Sequence, residues 1–130
     1  MKFLTAEEVL YLHHRLIEET GGSHGVRDVG LFESAVQSPT AGFGETEFYP
    51  TIFEKAAALM RAIVQNHPFV DGNKRTGISA AAMTLGINGY ALTASQQAFE
   101  DFAVFVATDH PDVSEIAAWL QAKSTAGESS

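Results

Sequence analysis

Apolar positions recur at helical spacing along most of the chain, and polar capping signals punctuate them. Val9, Leu12 and Leu16 mark a first helix; Thr5 with Glu8 forms a capping box before it, and Leu4 with Val9 is placed as a hydrophobic staple. Gly21-Gly22 ends that helix. Asp28 caps a second, carrying Leu31, Phe32, Ala35 and Val36 and stopping before Pro39. The stretch from Pro39 to Pro50 has no helical period and reads as a loop. A second capping box, Thr51 with Glu54, opens a third helix with Phe53, Ala57, Met60 and Val64 on one face. From Ile78 to Ile87 the chain is small and apolar nearly all round, which predicts a central helix packed on several sides. Asn88-Gly89 ends it, and Tyr90-Ala91-Leu92 reads as an extended connector. Ser95 caps a fifth helix with Phe99, Phe102 and Val106. Asp112 with Glu115 caps a sixth with Ile116, Trp119 and Leu120. The expectation is an all-α bundle in one domain over 1–123, with 124–130 as a flexible, small and polar tail.

Composition narrows the class. A chain of 130 residues, 45% of them hydrophobic, is long enough for one core. It holds no long uninterrupted apolar run, so no transmembrane helix is expected. Glu7 and Glu8 stand where a secretory leader would be apolar. Without cysteine there is no disulfide, thiol nucleophile or Cys-based zinc site. These features suit the cytoplasm. A net charge of −8 argues against a broad nucleic-acid surface, yet allows one small cationic pocket or a basic partner.

The chemistry concentrates between the third and fourth helices, in His67-Pro68-Phe69-Val70-Asp71-Gly72-Asn73-Lys74-Arg75-Thr76-Gly77. His67 follows a helix and precedes a proline that cannot continue one, so it is held at a loop start. An imidazole titrates near neutrality and can take a proton from a hydroxyl. Phe69 is the natural inward anchor. Asp71 is a hard oxygen donor suited to Mg²⁺ shared with waters and phosphates. Gly72 permits close backbone approach or a positive φ. Asn73, Lys74 and Arg75 lie where the next helix starts, among free N–H groups and a dipole that favour an anion. Lys74 adds a point charge and Arg75 a planar fork. Each piece also has an ordinary reading as a turn, a cap or a surface histidine. Together they point to a phosphate or nucleotide site beside a proton acceptor.

The stretch from His67 to Arg75 resembles the signature loop of the Fic/Doc superfamily, His-x-Phe-x-Asp/Glu-Gly/Ala-Asn-Gly/Lys-Arg. Lys74, where most Fic proteins have glycine, resembles the death-on-curing (Doc) branch. So do Gly21-Gly22, the segment from Arg27 to Ala35, the flap-like loop ending in Tyr49-Pro50, and Asn88-Gly89-Tyr90. The resemblance implies a small helical bundle with the motif between two central helices. In Fic enzymes the chemistry is transfer of AMP from ATP to a protein hydroxyl. In Doc toxins it is phosphorylation of a threonine of elongation factor Tu, restrained by a Phd antitoxin whose C-terminal segment folds onto the toxin. Carried over, His67 is the general base, Asp71 the Mg²⁺-associated acid, and Gly72, Asn73, Lys74 and Arg75 the nucleotide-phosphate holders. Two positions depart from the pattern. Ile78 stands where most Fic enzymes have a second arginine, and Gln65 where Doc has one. These departures keep a third reading open, a Doc-like binding module with a weakened site. A built-in inhibitory helix would need Ser/Thr-x-x-x-Glu-Gly/Asn; the nearest match, Ser124 to Ser129, fails at its last position, so inhibition is expected from a separate chain.

Other candidates are weaker. His13-His14 could bind a metal, but adjacent residues diverge on a helix and no third ligand is evident. Glu45, Glu47, Phe48 and Tyr49 read either as target contacts or as a solvated loop. His110 before Pro111 reads as a turn residue. Phe99, Phe102 and Phe105 read as core, with any exposed remainder open to an antitoxin helix.

Overall fold

The computed structural model describes residues 1–127. Six α-helices carry the fold: α1 Ala6–Thr20, α2 Val29–Gln37, α3 Ile52–Asn66, α4 Asn73–Gly86, α5 Gln96–Asp109 and α6 Val113–Ala122. The all-α reading holds. Thr5 and Thr51 form complete capping boxes with Glu8 and Glu54, and the side chains of Asp28, Ser95 and Asp112 each accept a first-turn N–H.

Two apolar clusters meet at the α3–α4 pair. One joins these helices to α5 and α6 through Met60, Val64, Leu85, Val106, Ile116 and Leu120. The other joins them to α1 and α2 through Leu4, Val9, Phe32, Leu59, Ile63 and Phe69. The expected one-sided burial of α3 is too modest. Its buried residues run from Ile52 through Val64 and include Lys55 and three consecutive alanines, because neighbours cover it on several sides. On α1 the buried stripe is Val9, His13 and Ile17 rather than Val9, Leu12 and Leu16.

Two segments depart from expectation. Within the Pro39–Pro50 loop, β1 (Gly42–Phe43) and β2 (Thr46–Glu47) pair as a small antiparallel hairpin after a 3₁₀ turn at Ser38–Thr40. Buried Lys55 anchors this hairpin, its Nζ donating to Pro39 O at 3.1 Å and to Glu47 Oε1 at 3.0 Å. The expected flexible tail begins as a strand. β4 (Ser124–Ala126) pairs antiparallel with β3 (Tyr90–Leu92), so the extended connector has found a partner for its backbone. The inhibitory-helix match therefore starts in a strand, while its Glu128 and Ser129 lie outside the described residues.

Gly77 lets α4 approach α3. A Cβ there would collide with Val64 Cγ2 and lie 3.3 Å from Met60 O. Alanine improves helix propensity by about 1 kcal/mol, whereas overpacking costs about 1–3 kcal/mol or more. With backbone on one side and a β-branched residue on the other, overpacking wins. Gly77→Ala is expected to lose roughly 1–2 kcal/mol net, read as a lower urea midpoint with unchanged slope.

Candidate functional site

The motif begins where α3 stops. His67 caps that helix in the left-handed region, φ 50° and ψ 59°, which turns the chain out of the helix before Pro68. This backbone is held from α2's side. Arg27 Nε donates to His67 O at 2.6 Å and Arg27 Nη2 to Asn66 O at 2.7 Å. The backbone N–H groups of Arg27 and Asp28 both donate to Pro68 O. A cation thus satisfies carbonyls at a helix C-terminus, where the dipole favours it. The His67 imidazole itself is exposed.

Phe69 is 1% exposed and anchors the loop as expected. The His13 ring stacks on it at 3.8 Å and Phe32 meets it edge-on at 5.6 Å. Asn73 closes the loop around it: its Oδ1 accepts from Phe69 N and its Nδ2 donates to Phe69 O, both at 3.0 Å. The amide expected to hold phosphate is therefore engaged with the loop's own backbone, and Asn73 can offer an anion its main-chain N–H.

Asp71 is exposed and also fixed by backbone. Its Oδ2 accepts from Ser23 N at 3.1 Å and its Oδ1 from Gly72 N at 2.9 Å. The Ser23 and then the Gly72 N–H hold its carboxyl below the ordinary carboxylate range, with Arg75 a smaller aid. Its carbonyl accepts from His13 Nε2–H at 2.8 Å. Burial pushes the His13 pKa down, so the ring donates as a neutral imidazole. Each Asp71 carboxylate oxygen accepts one of these hydrogen bonds and keeps a further lone pair. An anionic, pre-oriented oxygen donor of this kind fits Mg²⁺, which takes few protein ligands.

Gly72 sits at φ +76°, and a Cβ there would lie 2.9 Å from Ile17 Cδ1. It starts α4 with no side-chain cap among the described residues. The first-turn N–H groups of Asn73, Lys74 and Arg75 are therefore open to an anion. Lys74 and Arg75 are exposed, and neither is paired with a carboxylate among the described residues. Arg75 Nη1 donates to Thr20 Oγ1 at 2.7 Å, which tethers it beside the end of α1.

The departures from the family pattern are occupied by structure. Gln65 Nε2 donates to Val106 O at 3.4 Å and Pro111 O at 3.3 Å, bridging α3 to the α5–α6 corner. Ile78 is half-buried against the larger apolar cluster. Sequence reasoning missed Arg27, the Ser23 N–H and His13 as supports of the loop. His13 carried a signal, falling midway between Val9 and Ile17 at four-residue spacing. The other two depend on contacts between distant segments. The expectation that His14 has no third ligand nearby is also corrected: Glu18, one turn along α1, and His24 gather at it. His110 ends α5 at φ 51°, a turn residue as expected.

Residues 3–85 match the model of the Fic/DOC family. The chain is 44% identical over 102 residues to Toxin Doc of Mycolicibacterium smegmatis, covering 77% of this chain and 78% of that protein. It is 31% identical over 121 residues to Protein kinase doc of Escherichia phage P1, covering 93% of this chain and 94% of that protein.

Proposed function

The chain belongs to the Fic/DOC family, and we propose that it is a Doc toxin that moves the terminal phosphate of ATP to a protein hydroxyl. The observation that carries this reading is the junction of α3 and α4. An exposed imidazole, an oriented carboxylate and an uncapped helix N-terminus flanked by Lys74 and Arg75 occupy one braced loop. The α4 N–H groups, Lys74 and Arg75 would hold the nucleotide phosphates, as helix dipole and cations favour them. Gly72 would let them approach the backbone. His67 would take the proton of the attacking hydroxyl as the new O–P bond forms and ADP leaves. Asp71 would hold Mg²⁺, which when bound supplies neutralisation of phosphate charge.

Phosphate rather than AMP transfer is supported by Lys74 and by the relative named a protein kinase. By the same resemblance the target would be a threonine of elongation factor Tu. The relative named Toxin Doc also supports an antitoxin partner, which by the same resemblance would be of the Phd kind. A groove of about 450 Å³ along α1, where Tyr11, Leu12, Leu16 and Met83 lie among Glu7, Glu8, Arg15 and Glu19, offers a seat of mixed apolar and charged character for its helix.

Incubation with ATP and elongation factor Tu, followed by mass analysis, separates the chemistries. A phosphate adduct is expected, and Lys74→Gly should lower its yield and open AMP transfer. An AMP adduct from the unaltered chain would replace the kinase reading with adenylylation. A folded chain that transfers neither group, yet binds the antitoxin, would leave a binding module.

A further inference from the structure

On the outer face of α1, away from the fold's apolar clusters, three exposed side chains converge. Glu18 Oε1 lies 3.0 Å from His24 Nε2 and 3.8 Å from His14 Nε2. All three ligand atoms fall within 4.8 Å of one another. We propose that His14, Glu18 and His24 bind a transition-series divalent cation of the Zn²⁺ type, and that the ion clasps α1 to the loop that holds Asp71.

The donor set selects the ion. Two imidazoles and one carboxylate suit Zn²⁺ and its neighbours, whereas Mg²⁺ and Ca²⁺ prefer oxygen alone. Tetrahedral bonds of about 2.0–2.2 Å put ligand atoms roughly 3.3–3.5 Å apart. The observed separations bracket that value, so small rotamer shifts would close the site, with water at the fourth position. His14 and Glu18 are one turn apart on a rigid helix, which fixes two of the three ligands in advance. The adjacent acid, Glu19, is held by Arg15 at 2.8 Å and does not compete.

The third ligand links the site to the motif. His24 lies between two residues that hydrogen-bond the signature loop. Ser23 N donates to Asp71 Oδ2, and Gly25 O accepts from Val70 N at 3.0 Å. Fixing His24 to α1 would restrict this segment and, through it, the Asp71 carboxylate. This inference does not depend on which group the protein transfers.

The test is calorimetric titration of the untagged full chain with zinc chloride, with hydrogen exchange followed at single amides. One equivalent should bind, an excess of Mg²⁺ should not compete, and the amides of Ser23 and Val70 should exchange more slowly. His24→Ala and His14→Ala should each weaken binding by roughly ten-fold or more, since even the loss of a ligand's supporting partner costs about 10–100-fold. His67→Ala should bind as the unaltered chain does. Equal binding by His24→Ala and the unaltered chain would overturn the site, as would loss of binding in His67→Ala alone. Unchanged exchange at Ser23 and Val70 on saturation would overturn the clasp.

Discussion

His67→Ala is expected to lower transfer by about 10²–10⁴-fold while the helical bundle stays folded. The imidazole is exposed, so its removal opens no cavity in either apolar cluster. What holds residue 67 in place is main chain: its carbonyl and that of Asn66 accept from Arg27, and Pro68 O accepts two further N–H groups. Those contacts survive the substitution. Alanine tolerates the left-handed backbone less well than histidine, which costs about 1 kcal/mol and lowers the unfolding temperature slightly. The α4 groups proposed to hold phosphate also survive, so ATP should still bind. Turnover, ATP affinity and thermal unfolding measured together decide the matter. A folded variant with near-normal turnover would put the proton acceptor elsewhere.

The same contacts explain why some of this protein was legible in its sequence and some was not. Helix starts were legible because the capping side chain and the N–H it satisfies are three residues apart, as for Thr5 with Glu8 and Asp28 with Leu31. The motif's order was legible too, since His67, Asp71 and the start of α4 are close in sequence. The supports of that motif were not. Arg27 reaches carbonyls at Asn66 and His67, and Ser23 reaches Asp71, across separations that no periodicity encodes. Pairing of Tyr90–Leu92 with Ser124–Ala126 is equally remote, so short polar residues near the chain's end read as a frayed tail. Lys55 is the one charged residue among the buried positions of α3, and the partners at Pro39 and Glu47 account for its burial. His24 belongs to a glycine-rich turn with no local pattern, which hid its approach to His14 and Glu18.

Asn73→Ala should damage both stability and turnover, and the first loss distinguishes two roles for this residue. As a phosphate ligand, its amide would be needed only when nucleotide is bound. The amide instead closes a two-bond ring with the backbone of Phe69, in a region where Asn73 is 8% and Phe69 1% exposed. Alanine would leave one buried N–H and one buried C=O without partners, at about 1–3 kcal/mol for each. The Phe69 ring would then lose the restraint that keeps it stacked on His13, and His13 is the donor to Asp71 O. Disorder at residue 73 would in this way reach the carboxylate proposed to hold Mg²⁺. Asn73→Asp keeps an acceptor for Phe69 N but sets a carboxylate oxygen against Phe69 O, so it should not rescue the fold. The measurement is thermal unfolding without nucleotide, with a fall of roughly 5–10 °C or more expected for a domain of this size. An unchanged unfolding temperature with weakened ATP binding would instead make the side chain a phosphate ligand.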